Sequence, residues 1–187
     1  MKSYKVSRGE VLAFLKIATG APRSQQTRRS CGDCSACCSI MPIGELNKGS
    51  HQRCQFLTDN KLGCSIYAKR PRSCREWACI WAYLPHDTPH GLKRPDLGGY
   101  LIDMLPDTIV LQLDSGELIR SVVCQIWLAA NKRDAHKSPE LREYLNYLGE
   151  GGVPALIRYG HNSGFVLFPP SITESGWIEQ PGTYTPR

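Results

Sequence analysis

The 187-residue sequence predicts an α+β protein in which a cysteine-rich, metal-organised module precedes a small antiparallel sheet with packed helices. Eight of the nine cysteines fall between Cys31 and Cys79, while most of the Ile, Leu and Val lies in residues 99–168. In that second region short alternating apolar runs stand between segments of helical period. A stretch rich in Cys, Arg, Ser and Gly struggles to fold on apolar burial alone, so residues 31–79 call for another organiser. The expected division is an N-terminal helix and basic linker over residues 1–30, the cysteine module over 31–90, and an α+β half with an extended C-terminal tail over 91–187.

Ser7-Arg8-Gly9-Glu10 has the spacing of a capping box and announces a helix. Val11, Phe14, Leu15 and Ala18 form its apolar stripe, and Gly20-Ala21-Pro22 stops it. Residues 21–30 read as a polar linker in which Arg23, Arg28 and Arg29 are solvated. Between Cys38 and Cys79 glycines mark turns, Gln55-Phe56-Leu57 reads as a short strand or turn, and brief helical segments over 66–70 and 72–83 are divided at Pro71. Pro85, Pro89, Gly91 and Pro95 read as the loop that closes the module. Residues 100–105 and 108–113 form an expected antiparallel pair around Pro106-Asp107, followed by a short third strand through Ser121 and a helix from Val122 to Asn131. Ser138-Pro139-Glu140 starts a second long helix with Leu141, Tyr144, Leu145 and Leu148 buried and Gly149 at its end. Residues 153–159 and 165–168 flank a hairpin turn at 161–164, and the tail beyond Pro170 is extended or frayed.

The net charge of +6 is unevenly distributed. Residues 1–79 hold 14 Lys+Arg against 5 Asp+Glu, and residues 80–187 hold 9 against 12. The basic excess therefore coincides with the thiols. A divalent ion held by four thiolates leaves a local charge of −2, so two such sites would bring the whole molecule to about +2. Neighbouring Arg and Lys also favour the thiolate form. The N-terminal apolar run Val11–Leu15 is broken by Lys16 and has no convincing export cleavage site, and no segment approaches the roughly 20 apolar residues of a membrane span. A cytoplasmic, reducing location with no membrane partner is expected, and there clustered cysteines bind metal more often than they form disulfides.

The run opens Cys31-x2-Cys34-x2-Cys37-Cys38 and continues through Cys54, Cys64, Cys74 and Cys79. Thiolate is a soft ligand, and two thiolates separated by two residues reach one ion without backbone strain. Together with Cys64-Ser-Ile-Tyr67 and Arg70-Pro-Arg-Ser-Cys74-Arg75, the array resembles the bacterial CxxCxxCC cysteine-cluster family, a zinc- or iron-chelating domain, over about residues 30–82. The resemblance implies a metal site built from Cys31, Cys34, Cys37, Cys38, Cys54, Cys64, Cys74 and Cys79. A flagellin lysine methylase is similar over the same motif, which admits an enzymatic relative.

Eight thiolates make two closed four-sulfur sites, one four-sulfur site with cysteines in reserve, or a binuclear cluster with bridging sulfurs. Cys37 and Cys38 are neighbours that project differently, which assigns them to different sites or gives one a bridging or supporting role. The expected cofactor is zinc or iron, with an iron–sulfur cluster as a form of the latter. Ferredoxin spacing is absent because Cys38 follows Cys37 at once, and the Cys-x3-Cys-x2-Cys radical spacing is absent too. Three functions follow: a metal-binding protein, an iron–sulfur-dependent protein-modifying enzyme or electron-transfer protein, and a metal-organised nucleic-acid binder. The partner of the first two, a protein or a small molecule, is open. The third ranks last because aromatic residues are not interleaved among the arginines.

His51, His86 and His90 are discounted as loop residues beside the array, although each could ligate or gate a metal. Arg70, Arg72 and Arg75 are expected to hydrogen-bond thiolate sulfur, and Trp77, Trp81 and Tyr83 to cover the site. Cys124 is expected to be a packed free thiol. No nucleophile–base pair, phosphate-binding glycine loop or dinucleotide fingerprint is present, so no catalytic residue is assigned.

Overall fold

The computed structural model describes residues 6–20, 29–60, 63–84, 91–112, 115–160 and 162–183. Helix α1 spans Arg8–Thr19, and its capping box forms: the Glu10 N–H donates to Ser7 Oγ at 3.2 Å and the Ser7 N–H to the Glu10 carboxylate at 2.7 Å. Gly20 ends the helix with φ 70°, a left-handed conformation that glycine adopts without a Cβ penalty. Phe14, Leu15 and Ala18 are buried as the stripe requires. The last turn docks on helix α5, Pro139–Glu150: the Tyr144 and Tyr147 hydroxyls donate to the Ala18 and Ile17 carbonyls, each at 2.7 Å. The Ile17 carbonyl also accepts from the Gly20 cap N–H at 3.4 Å, and the two hydroxyls complete the hydrogen bonding of carbonyls in the helix's last turn.

Six strands form one mixed sheet: β1 Tyr100–Ile102, β2 Asp107–Gln112, β3 Leu118–Leu128, β4 Ala155–Arg158, β5 Ser163–Phe168 and β6 Ile178–Thr183. The order is β1-β3-β4-β5-β6, with β2 also on β3. The α+β class is as expected, and so is the β4–β5 hairpin, which pairs Arg158 with Gly164. One pair, β3 with β4, is parallel, so the sheet expected to be antiparallel is mixed, and α5 is the crossover that parallel neighbours require. Leu141, Tyr144, Leu145 and Leu148 face the core from α5, as its sequence stripe predicts.

Four local expectations are corrected. First, β1 and β2 do not pair with each other; both run antiparallel to β3. Ile102 faces Ile126 and Asp107 faces Val123, so residues 103–106 stand opposite only residues 124–125. Pro106, which has no N–H, thus marks an interruption within one strand line instead of a turn between two strands. Second, the expected helix over 122–131 is the second half of β3. This strand has neighbours on both sides and is buried on both faces near its end, so its apolar residues run almost continuously and the period-2 signal is lost. Its β-branched Ile119, Val122, Val123 and Ile126 favour the strand. Third, the tail is extended but also paired, supplying β6 along β5. Fourth, Pro95 opens a short helix, α4 Pro95–Gly98, instead of lying in a loop. Residues 21–28, Pro85, Pro89 and the turn residue His161 lie outside the described residues.

One buried cluster runs from Phe14 of α1 through Ile40, Ile80 and Leu84 of the cysteine-rich segment to Tyr100, Ile126 and Leu145. The cysteine-rich loops therefore share their core with β1 and β3. On the sheet, Arg158 is buried and donates to Gln125 at 2.9 Å and to Asp107 at 3.0 Å. Among the described residues no helix is long and apolar enough to cross a membrane.

Candidate metal centre

Among the described residues from Cys31 to Leu84 the elements are short, and backbone hydrogen bonds between them set the positions of the cysteines. The Cys34 N–H returns to the Cys31 carbonyl at 3.0 Å, which tightens the first CxxC into a turn. Helix α2, Ala36–Ile40, carries Cys37 and Cys38 on successive positions, about 100° apart around its axis. The Cys54 N–H then bonds the Cys38 carbonyl at 2.9 Å, and Leu57 bridges Cys64. Helix α3, Arg72–Glu76, carries Cys74; its free N-terminal N–H groups at Arg72 and Ser73 donate to the Glu45 carboxylate at 3.1 and 2.9 Å. Cys79 pairs with Asp103 in an isolated bridge just after β1.

These ties bring all eight array cysteines to the wall of one cavity of about 220 Å³. Apolar side chains complete the wall, among them Met41, Ile43, Phe56, Ile66, Trp77 and Leu101. Cys124 is elsewhere, fully buried inside β3. All nine cysteines are free thiols. Among the described residues, no group of three or more His, Cys, Asp or Glu side chains is gathered tightly enough to hold a metal ion as it stands. The donor chemistry nevertheless fits a thiophilic metal: backbone N–H groups of Ala36 and Asp96 point at the Cys34 sulfur, and that of Ala82 at the Cys79 sulfur. Such donors favour the thiolate form.

The thiols are not electrostatically alike. Burial pushes Cys34 up to about 11 and Cys79 up to about 12, against the partial relief of those N–H groups. Cys37 is raised well above the usual thiol range because it shares a hydrogen bond with Cys38 and is buried. The same bond, helped by Lys48 and Arg70 against the cost of burial, lowers Cys38 to about 7. Burial raises Cys74 as well. Three thiols also register their neighbours: Cys79 is close to Cys31 and Cys34, Cys37 to Cys34, Cys38 and Cys79, and Cys74 to Cys38, Cys54 and Cys64.

Of the other candidates, Arg70 and Trp77 line the cavity, whereas Trp81 and Tyr83 pack against the main core. Arg70 lies over the Tyr67 ring at 3.6 Å and donates to the Tyr67 carbonyl. Arg72 pairs instead with Glu76 at 2.7 Å, and neither it nor Arg75 lines the cavity. Arg29, expected to be solvated, is bound: its N–H donates to the Ala82 carbonyl at 2.6 Å, its Nε to the Leu84 carbonyl at 2.7 Å, and its guanidinium lies 5.2 Å from the Trp81 ring centre. His51 turns away from the cavity, with Nε2 2.8 Å from the Leu128 carbonyl. His86 and His90 lie outside the described residues.

Two residues escaped the sequence reading. Lys48 is buried and its ammonium donates to the Met41 and Gly49 carbonyls, with no carboxylate partner among the described residues. Burial lowers its pKa, while Cys54, Cys38, Cys37 and Cys74 act in the opposite direction. Asp96 stands beside Cys34; burial opposes its charge, but a two-pronged pair with Arg94 at 2.7 and 2.8 Å and a hydrogen bond with Cys34 hold its carboxyl below the usual range. The signal for Lys48 was the basic surplus around the array; nothing in the local pattern marked Asp96.

Compared with family models, curated proteins and solved structures, the chain matches none. The resemblance to the CxxCxxCC family therefore rests on the motif alone.

Proposed function

We propose that this is a metal-binding protein whose eight array cysteines hold zinc or iron, the latter as ions or as an iron–sulfur cluster. One observation carries the reading: eight thiols from separate loops and short helices line a single cavity, and the one cysteine outside the motif does not. A lone buried cysteine packs as a small hydrophobe, but eight thiols converging from separate segments also supply a set of soft donors suited to a thiophilic metal. Metal binding would draw the thiols inward and replace their protons with one cation per site. The similarity to the CxxCxxCC family supports the same donors.

The test is metal and acid-labile sulfide analysis of protein purified without oxygen, paired with its absorption spectrum. Stoichiometric zinc without sulfide selects zinc; iron with equal sulfide and broad visible absorption selects the cluster and favours electron transfer or protein modification over a purely structural role. A fully folded, metal-free protein refutes the reading.

A further inference from the structure

We infer that the eight cysteines divide into two four-sulfur sites, a core-side set of Cys31, Cys34, Cys37 and Cys79 and an outer set of Cys38, Cys54, Cys64 and Cys74. The division rests on the metal reading above and adds to it which sulfur belongs with which.

Packing separates the sets first. Cys79 belongs to the main buried cluster, and Cys34 and Cys37 pack against it; Cys38, Cys54, Cys64 and Cys74 do not, nor does Cys31, which backbone ties join to the core-side set. Helix α2 sets Cys37 and Cys38 about 100° apart around its axis, so each can serve a different neighbouring site although their thiols touch.

Backbone ties then group the same residues. Arg29 holds the segment entering Cys31 against Ala82 and Leu84, directly after Cys79, and the Cys31–Cys34 turn follows. On the other side the Cys54 N–H is bonded to Cys38, Cys54 leads through Leu57 to the bridge with Cys64, and the Cys64 carbonyl accepts from Tyr67 at 3.1 Å. Glu45 fixes the helix that brings Cys74 to this group.

The sulfur neighbours agree. Cys79 is near Cys31 and Cys34, Cys37 is near Cys34 and Cys79, and Cys74 is near Cys38, Cys54 and Cys64. The sequence neighbours Cys37 and Cys38 are in contact across the two sets. The surroundings differ as well. A site of four thiolates and one divalent cation carries −2. The buried ammonium of Lys48 lies near three outer-set sulfurs and the core-side Cys37, whereas the charged group beside the core-side Cys34 is Asp96, already paired with Arg94.

The full chain, reconstituted without oxygen with Co²⁺, reports on both sites through its thiolate-to-cobalt and d–d absorption. Relative to the full chain, the within-set variants C31S/C79S and C54S/C64S are each expected to keep half of the cobalt with an unchanged four-sulfur spectrum. The cross-set variant C31S/C64S is expected to lose that spectrum altogether. Loss of all cobalt from both within-set variants, or a four-sulfur spectrum retained by the cross-set variant, overturns the division. Electron paramagnetic resonance of the unsubstituted chain gives a test that no folding defect can obscure: magnetically independent cobalt ions are expected, and an antiferromagnetically coupled pair, the sign of bridging sulfur, overturns it. A full chain that takes up no cobalt defeats the metal reading itself.

Discussion

Two cysteines of nearly equal burial separate ligand chemistry from packing. Cys79 is 7% exposed and Cys124 is 0% exposed, and Cys→Ser makes the same sulfur-to-oxygen change at each. At Cys124 the serine hydroxyl is fully buried inside β3, so C124S should lose about 1–3 kcal/mol, the cost of burying an additional polar group. With a urea slope near the upper end of 1–3 kcal/mol/M, the midpoint should fall by about 0.3–1 M. Metal content should not change. C79S carries a similar burial cost and also removes a sulfur from a site whose structural metal contributes on the order of 10–16 kcal/mol to folding. Losing even a third of that, about 3–5 kcal/mol, approaches the whole net stability of a small domain, about 5–15 kcal/mol. C79S should therefore lose metal and show no cooperative transition matching that of the full chain. Anaerobic urea unfolding followed by far-ultraviolet circular dichroism and tryptophan fluorescence checks this, because Trp77 lines the cavity and senses its collapse. A C79S protein that keeps its full metal and unfolds within about 1 kcal/mol of C124S refutes the assignment of Cys79 as a ligand.

Acidity gives another prediction. Cys34, Cys37 and Cys79 are held protonated at neutral pH by pKa values raised to about 11, well above normal, and to about 12, so each must surrender a proton when metal binds. Affinity at the core-side set should consequently rise with pH, by about tenfold per pH unit for each proton released. Cys38, lowered to about 7, releases less above neutrality, so C31S/C79S should show a shallower slope than C54S/C64S in chelator competition; equal slopes would contradict the asymmetry. In the fold, Tyr144→Phe strands the buried Ala18 carbonyl at the end of α1 and should cost about 1–3 kcal/mol in chemical denaturation without changing metal content.

Helices α1 and α5 were legible in the sequence because their ends are marked by Ser7 and Glu10, Gly20, and Pro139, and because each exposes one face, so the 3.6-residue period survives. The β4–β5 hairpin was legible for a similar reason, with a polar turn between short apolar runs. β3 was not, since burial on both faces removes the alternation by which a strand is recognised, leaving only its β-branched residues to argue against a helix. The same physics hid the partnership of β1 and β2 with β3: a proline and an aspartate signal an interruption, but not whether the chain turns there or continues. At the cavity, the eight cysteines that line it could be read directly from the array. The roles of Arg29, Lys48 and Asp96 could not, because they depend on contacts with segments far along the chain and on burial that an isolated charged residue does not advertise.

The continuity of Ile80, Ala82 and Leu84 with Tyr100 and Ile126 bears on protein engineering. A graft cut at Leu84 would carry every array sulfur but bare the greasy underside on which Cys79 sits, and it would discard the Asp103 side chain that receives the Trp77 indole N–H at 2.7 Å. The smallest transplantable unit therefore extends through β1 to Asp103, and the recipient scaffold must offer a strand to stand in for β3.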